Sequence, residues 1–196
     1  MSLIVPPTGF CPNLFTLRMQ VAQRVFSSPD SGSEQVIDRL NDRWLLSLTL
    51  PNRLHADAAV IEAFIASLRG MTNTVALYHY VRRVPRGSMR GAPTAQAAAA
   101  GAQALVLNTT AGATLKAGDM IGVAGLLLMV ATDATANGAG VMLVQIVNCL
   151  RVAVGGGSPV TWDKPTAPFR LVSPSAIQYI PGHSPEASFD FVEAVG

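Results

Sequence analysis

Hydrophobic and polar positions alternate with a period of two from Arg43 to Leu50. Trp44, Leu46, Leu48 and Leu50 share one face, and Arg43, Leu45, Ser47 and Thr49 share the other. That pattern predicts a strand with one face on a core. Pro51-Asn52 stops it, and from Asp57 the period lengthens: Val60, Ile61, Phe64, Ile65 and Leu68 fall on one helical stripe. Asp57 is placed for the first turn, Arg69 for the last, and Gly70 where a glycine ends a helix. Alternation returns at Val75, Leu77, His79 and Val81. The stretch from Arg43 to Tyr80 is therefore expected to lay a helix across a sheet, with Trp44 and Phe64 in contact.

Upstream, Phe15 to Phe26 reads as one long strand, with Phe15, Leu17, Met19 and Val21 on one face and Thr16, Arg18 and Gln20 on the other. A turn-rich loop, Ser27 to Ser33, separates it from a short strand over Val36 to Leu40. Downstream of Tyr80 the texture changes. Arg82 to Gly91 is basic and broken by Pro85, Gly87 and Gly91, which suits a crossing between domains. Ala95 to Ala102 is either a short helix or a small-residue packing surface. Between Gln103 and Val154, short apolar runs at Leu105–Leu107, Met120–Val123, Leu126–Val130, Val141–Val147 and Leu150–Val154 alternate with glycine turns, and Gly155 to Pro159 closes the segment. Such spacing predicts a small barrel or tightly curled sheet.

Three more strands are expected at Phe169–Val172, Ile177–Ile180 and Phe189–Val195. In the last, Glu193 shares a face with Phe189, Phe191 and Val195, which places the outer end of that strand at the surface. The closing strands return to the first sheet. The expected fold is mainly β (α+β): a β-sandwich with one packed helix formed by residues 1–90 with 165–196, and a small β-barrel, OB-like, inserted at 91–164.

Composition changes this picture in one respect. Hydrophobic residues make up 49% and charged residues 13%, about half the charged fraction of an ordinary soluble domain. Part of the surface is thus expected to be covered by other subunits. A net charge of +2 is too small to imply nucleic acid as a partner. The longest apolar run, Met120 to Ala131, falls short of the roughly 20 residues of a membrane helix. Met1 to Pro7 lacks a basic region followed by an apolar core, so no signal peptide is expected. Cys11 and Cys149 are isolated and read as reduced thiols.

Candidate chemistry is sparse. His55, His79 and His183 lie in three contexts, a loop, a strand face and a second loop, without metal-ligand spacing. No nucleophile elbow or phosphate loop is present, and Gly155-Gly156-Gly157 is followed by Ser158-Pro159 rather than by a helical pattern. Asp119 and Asp133 sit in turns, where carboxylates bond nearby backbone N–H groups. The one concentration of charge is Arg82, Arg83, Arg86 and Arg90, read as a candidate subunit-contact loop in preference to a nucleic-acid site. A barrel that binds carbohydrate or single-stranded nucleic acid is the alternative reading. It needs exposed aromatics, and Trp162 is the only one between Gly91 and Pro165. No catalytic, cofactor or metal site is expected, and an enzyme is the least supported class.

The string Lys116-Ala117-Gly118-Asp119-Met120-Ile121, then Gly125, then Val130 to Gly140 with its Asp133-Ala134-Thr135-Ala136-Asn137-Gly138-Ala139-Gly140 loop, then Leu150-Arg151, resembles a segment of the tail proteins of long-tailed bacteriophages. Asn148-Cys149 stands where that pattern carries a proline before Leu-Arg. Ala63 to Gly70, Pro165 to Leu171 and Phe191 to Ala194 are similar to other parts of the same family, most nearly the distal tail proteins. The resemblance implies a ring-forming β-sandwich with a helix and an OB-type barrel. It also implies a homo-oligomeric ring of six copies that joins the tail tube to the tip or baseplate proteins, in the virion tail of a phage or prophage, made in the bacterial cytoplasm. Neither a cofactor nor a membrane or nucleic-acid partner is implied.

Overall fold

The computed structural model describes residues 2–27, 31–39, 41–172 and 176–194. Strands β1 (Leu3–Ile4), β2 (Leu14–Gln20), β3 (Gln23–Ser27), β4 (Glu34–Asp38) and β5 (Arg43–Leu50) precede the helix α1 (His55–Ser67) and β6 (Thr74–Tyr78). Eight short strands follow: β7 (Thr94–Ala95), β8 (Ala104–Asn108), β9 (Thr114–Leu115), β10 (Met120–Val123), β11 (Leu126–Met129), β12 (Ala134–Thr135), β13 (Val141–Gln145) and β14 (Ser158–Thr161). The chain closes with β15 (Thr166–Leu171) and β16 (Ala187–Glu193). The protein is mainly β, and no described helix is long and apolar enough to cross a membrane.

Twelve of these strands form two six-stranded sheets, in the orders β1-β6-β15-β16-β5-β2 and β11-β10-β14-β7-β8-β13, while β9 pairs with β12 and β3 with β4. In the first, cross-strand register puts Leu17, Leu46 and Phe191 in one row and Phe15, Leu48 and Phe189 in the next. This apolar face is covered by Ile61, Phe64, Ile65 and Leu68 of α1 and by Met120 and Leu127 of the second sheet. The opposite face is polar, with Ser47 Oγ donating to Asp190 Oδ1 at 2.6 Å and the Thr49 and Ser188 hydroxyls 2.9 Å apart. The second sheet curls around its own core of Leu105, Leu107, Ile121, Leu128, Met142 and Val144. Its two edge strands meet where Val130 bridges Ile146, with Val147 N–H donating to Met129 O at 2.9 Å. A closed or nearly closed wall of this kind protects edges that would otherwise stay unpaired.

Several expectations need correction. The run Phe15–Phe26 is not one strand: Val21 and Ala22 break it, and β3 leaves the sheet to pair only with β4 as a separate two-stranded ribbon. Ile177–Ile180 is not a strand, because Ile180 folds back on His183 across a turn. Leu150–Val154 contributes only a bridge from Val154 to Ala98. Of the two readings of Ala95–Ala102 the helical one fails, and Ser158–Thr161, within the expected barrel segment, is a strand paired on both sides by β10 and β7. Val60 lies outside the buried helix stripe. Trp44 and Phe64 share one core, and the ring partner of Phe64 is Phe10, edge-on at 5.2 Å. The helix ends at Leu68, and Arg69 already has φ +50 ahead of Gly70 at φ +64. Leu40 and Val195, at the ends of two expected strands, lie outside the described residues.

The largest correction concerns Glu193, which is 1% exposed. Arg151 reaches it from the far side of the seam with two charge-assisted hydrogen bonds, Nη2 to Oε1 at 2.5 Å and Nη1 to Oε2 at 2.8 Å. The Trp44 backbone N–H donates to the same Oε2 at 3.0 Å, and the Trp44 indole N–H donates to Leu127 O at 2.8 Å. Glu193 therefore occupies a core position because its partners come to it. Replacing Arg151 with Leu should leave that carboxylate buried and unpaired, at a cost of about 3–5 kcal/mol. Adding Glu193→Leu should recover most of this loss, leaving a deficit of about 1–3 kcal/mol for the orphaned Trp44 N–H. Urea unfolding of wild type, Arg151→Leu, Glu193→Leu and the double variant reads the cycle, and a double variant no more stable than Arg151→Leu would refute the role given to the pair.

Candidate functional site at the arginine segment

The four arginines lie on the crossing from β6 to β7, and the structure ties that crossing down along its whole length. His79 begins it. Its buried ring packs edge-on against Phe15 at 4.9 Å, and its Nδ1 accepts from the N–H groups of Val81 at 3.3 Å and Arg82 at 2.9 Å. An Nδ1 that accepts two N–H groups must be unprotonated. Burial and the neighbouring Arg82 charge hold this histidine neutral, with its pKa lowered to about 4.

Arg82 and Arg86 converge on the turn of residues 116–118. Arg82 Nη1 donates to Gly118 O at 2.8 Å, and Arg86 Nη2 donates to Ala117 O. Arg83 instead turns back, Nε to Tyr80 O at 2.8 Å, and its own carbonyl accepts from Lys164 N–H at 2.7 Å. Arg90 folds onto its own segment, donating to the carbonyls of Pro85, Gly87 and Met89, with its guanidinium 5.1 Å above the Trp162 ring. Arg82 and Arg86 are thus brought together at the surface, while Arg83 and Arg90 are directed elsewhere. Arg90 is an internal strut. The two crossings between the sheets, at 81–91 and 162–165, run side by side through Arg83–Lys164 and Arg90–Trp162.

Asp119 is the group that holds this arrangement. Its buried carboxylate accepts from the backbone N–H groups of Arg86 at 2.9 Å, Gly87 at 3.1 Å and Lys116 at 2.8 Å, and lies 3.5 Å from Arg86 Nε. Gly87 is required here because a Cβ would fall 2.1 Å from Thr114 O. Asp133 does the same for the next turn: its carboxylate accepts from Ala117 N–H at 2.9 Å and Lys116 Nζ at 2.8 Å. The lysine hydrogen bond, helped by that N–H, holds Asp133 below the ordinary carboxylate range. Asn137 Oδ1 accepts from Ala139 and Val141 N–H, and at Gly140 a Cβ would lie 2.2 Å from Thr109 O. Asp119, Asp133, Asn137 and Gly140 thus fix the turns of the 116–140 string.

Other sequence candidates stay apart. His55 is the first residue of α1 and bonds Ile180 O at 2.9 Å through Nε2, correcting its placement in a loop. His183 lies in the turn after Ile180. No group of three metal-ligating side chains occurs among the described residues. A cleft of about 310 Å³ beside Arg90 is lined by Thr94, Asn108, Thr109 and Thr110. Arg90 lies over one face of the nearby Trp162, whose indole N–H donates to Gly91 O at 2.8 Å. Sequence reasoning missed the acceptor role of His79 and the partnership of Arg151 with Glu193. An acid on an otherwise apolar strand face was the available signal for the second.

Removing the Asp119 carboxylate with Ala should strip three backbone N–H groups and the Arg86 guanidinium of their acceptor. A loss of about 3–5 kcal/mol in chemical denaturation is expected, with Asp119→Asn falling between, because buried unsatisfied donors each cost about 1–3 kcal/mol. An Asp119→Ala protein as stable as wild type would contradict this role.

The folded pKa of His79 lies below the unfolded value of about 6.5, so its neutral form contributes stability fully above pH 6.5. That contribution is lost as pH falls from 6.5 towards 4, the range in which the unfolded chain binds the proton first. His79→Asn keeps an acceptor and removes the titration. Its melting temperature should therefore vary less than that of wild type between pH 6.5 and 5, and parallel curves would rule out His79 as the titrating group.

Neither the models of known protein families nor the curated proteins compared with this chain match it.

Proposed function

We propose that this chain is a virion structural protein, a distal tail adaptor subunit of a long-tailed bacteriophage or prophage. Six copies would form a ring joining the tail tube to the tip or baseplate proteins. The observation that carries this reading is the β3–β4 ribbon. All ten of its residues are exposed, including Val25 at 57%, Val36 at 55%, Phe26 at 44% and Ile37 at 43%. A two-stranded ribbon is marginal in water on its own, and clustered exposed apolar side chains mark an interaction surface. This ribbon continues two core strands outward. It is rooted where Ala22 N–H donates to Asp42 Oδ1 at 3.0 Å and Arg39 N–H donates to Ala22 O at 2.9 Å. An arm built on a firm base suits an assembling subunit.

Two further observations support it. Among the residues that carry the resemblance to tail proteins, Asp119, Asp133 and Asn137 spend their side chains on backbone N–H groups of turns, which serves shape. The charged side chains of the seam and turns are spent on internal bonds, which fits a protein whose outer surface is shared with neighbours. The reading contains no catalytic role.

Light scattering on purified protein over a concentration series tests it. Assembly to about six times the 20.5 kDa subunit mass is expected. Replacing residues 23–38 with a short Gly/Ser turn should leave a cooperatively folding monomer. A wild-type chain that stays monomeric at millimolar concentration would overturn the ring.

A further inference from the structure

We infer that the contact between neighbouring copies pairs one face of the β3–β4 ribbon with the arginine segment of the next subunit. This rests on the ring reading and names its interface. The ribbon has two unlike faces, because directly opposed residues project to the same side and successive ones alternate. Register places Val25 with Val36, Ser27 with Glu34 and Gln23 with Asp38 on one face. That face carries an apolar pair with the acid Glu34 at its outer end. The other face carries Arg24, whose guanidinium stands 4.8 Å above Phe26, together with Ile37 and Gln35.

The arginine segment presents the complement. Val81 and Val84 are exposed beside Arg82, Arg83 and Arg86. The backbone carbonyls of Gly118 and Ala117 hold Arg82 and Arg86 side by side, with Arg86 67% exposed. Each guanidinium uses part of its donor fork on those carbonyls and keeps outward N–H groups that can meet a carboxylate. Preorganised cations beside exposed valines fit an acidic, valine-bearing strand pair, and the cationic ribbon face would be repelled. The orientation of the ribbon is thereby chosen by charge.

The two patches are different surfaces of one chain. A contact between unlike patches is head-to-tail, and head-to-tail contacts close into rings where the rotation allows. A self-complementary patch would give a dimer instead. The inferred pairing therefore supplies the kind of contact that a ring requires.

A charge-swap cycle tests it. Glu34→Arg and Arg82→Glu should each raise the concentration for half-assembly about tenfold. The chain carrying both substitutions should return to within about threefold of wild type, because every interface then regains an opposite pair. The effect of each single reversal should shrink at high salt. Cooperative thermal unfolding confirms that each variant is folded, and Arg86→Glu replaces Arg82→Glu if the latter is not. Wild-type chains that assemble while the single variants assemble equally well, or while the swapped chain fails to recover, would sink this pairing and leave the ring intact. A wild type that never assembles would sink both.

Discussion

A buried carboxylate at the end of β16 can persist only if a cation reaches it, and the relation between the two sheets depends on that requirement. Glu193 takes two hydrogen bonds from Arg151 and a third from Trp44 N–H, so both of its oxygens are held. Arg151 also donates to Asp42 O at 2.7 Å, and the Asp42 side chain holds Ala22 at the root of the ribbon. One guanidinium thus touches the curled sheet, the core of the first sheet and the base of the arm. Charge burial of this kind is weak evidence for stability and better evidence for a specified geometry. Apolar contact between Leu127, Met129 and the first sheet would tolerate sliding. A bidentate ion pair tolerates far less.

The same economy governs the turns. A chain with few charged residues places several of its acids, Asp42, Asp119, Asp133, Asp190 and Glu193, against donors within the fold. At Asp119 one carboxylate closes two turns from different parts of the chain, so the arginine segment and the 116–118 turn form one rigid piece. Arg82 and Arg86 are consequently displayed from a fixed base, which lowers the entropy lost when such side chains bind a partner.

The sequence by itself determined the central unit. Strand β5, helix α1 and strand β6 each have a period that only one local structure satisfies, and most of the residues the pattern names are buried; Val60 and Val81 are exposed instead, and Ala58, Thr74 and Tyr80 are buried in addition. It also determined that closely spaced glycine turns between residues 103 and 147 would curl a sheet, because short apolar runs with frequent turns cannot form long flat strands. The turn roles of Asp119 and Asp133 were legible for the same reason: a carboxylate in a tight turn lies within reach of its own backbone donors.

Tertiary structure decided the rest, where a local pattern has two possible environments. Alternation continues through Phe26, yet no core faces β3, so strand periodicity could not reveal that Val25 and Phe26 are exposed. Glu193 looked like a strand end at the surface because its partner lies 42 residues away in a connection with no local pattern. The strand Ser158–Thr161 contains a proline and follows three glycines, and it is a strand only because β7 and β10 stand on either side of it. Local periodicity reports which faces differ. Only the folded chain decides what each face meets, because burial and pairing are set by segments distant in sequence.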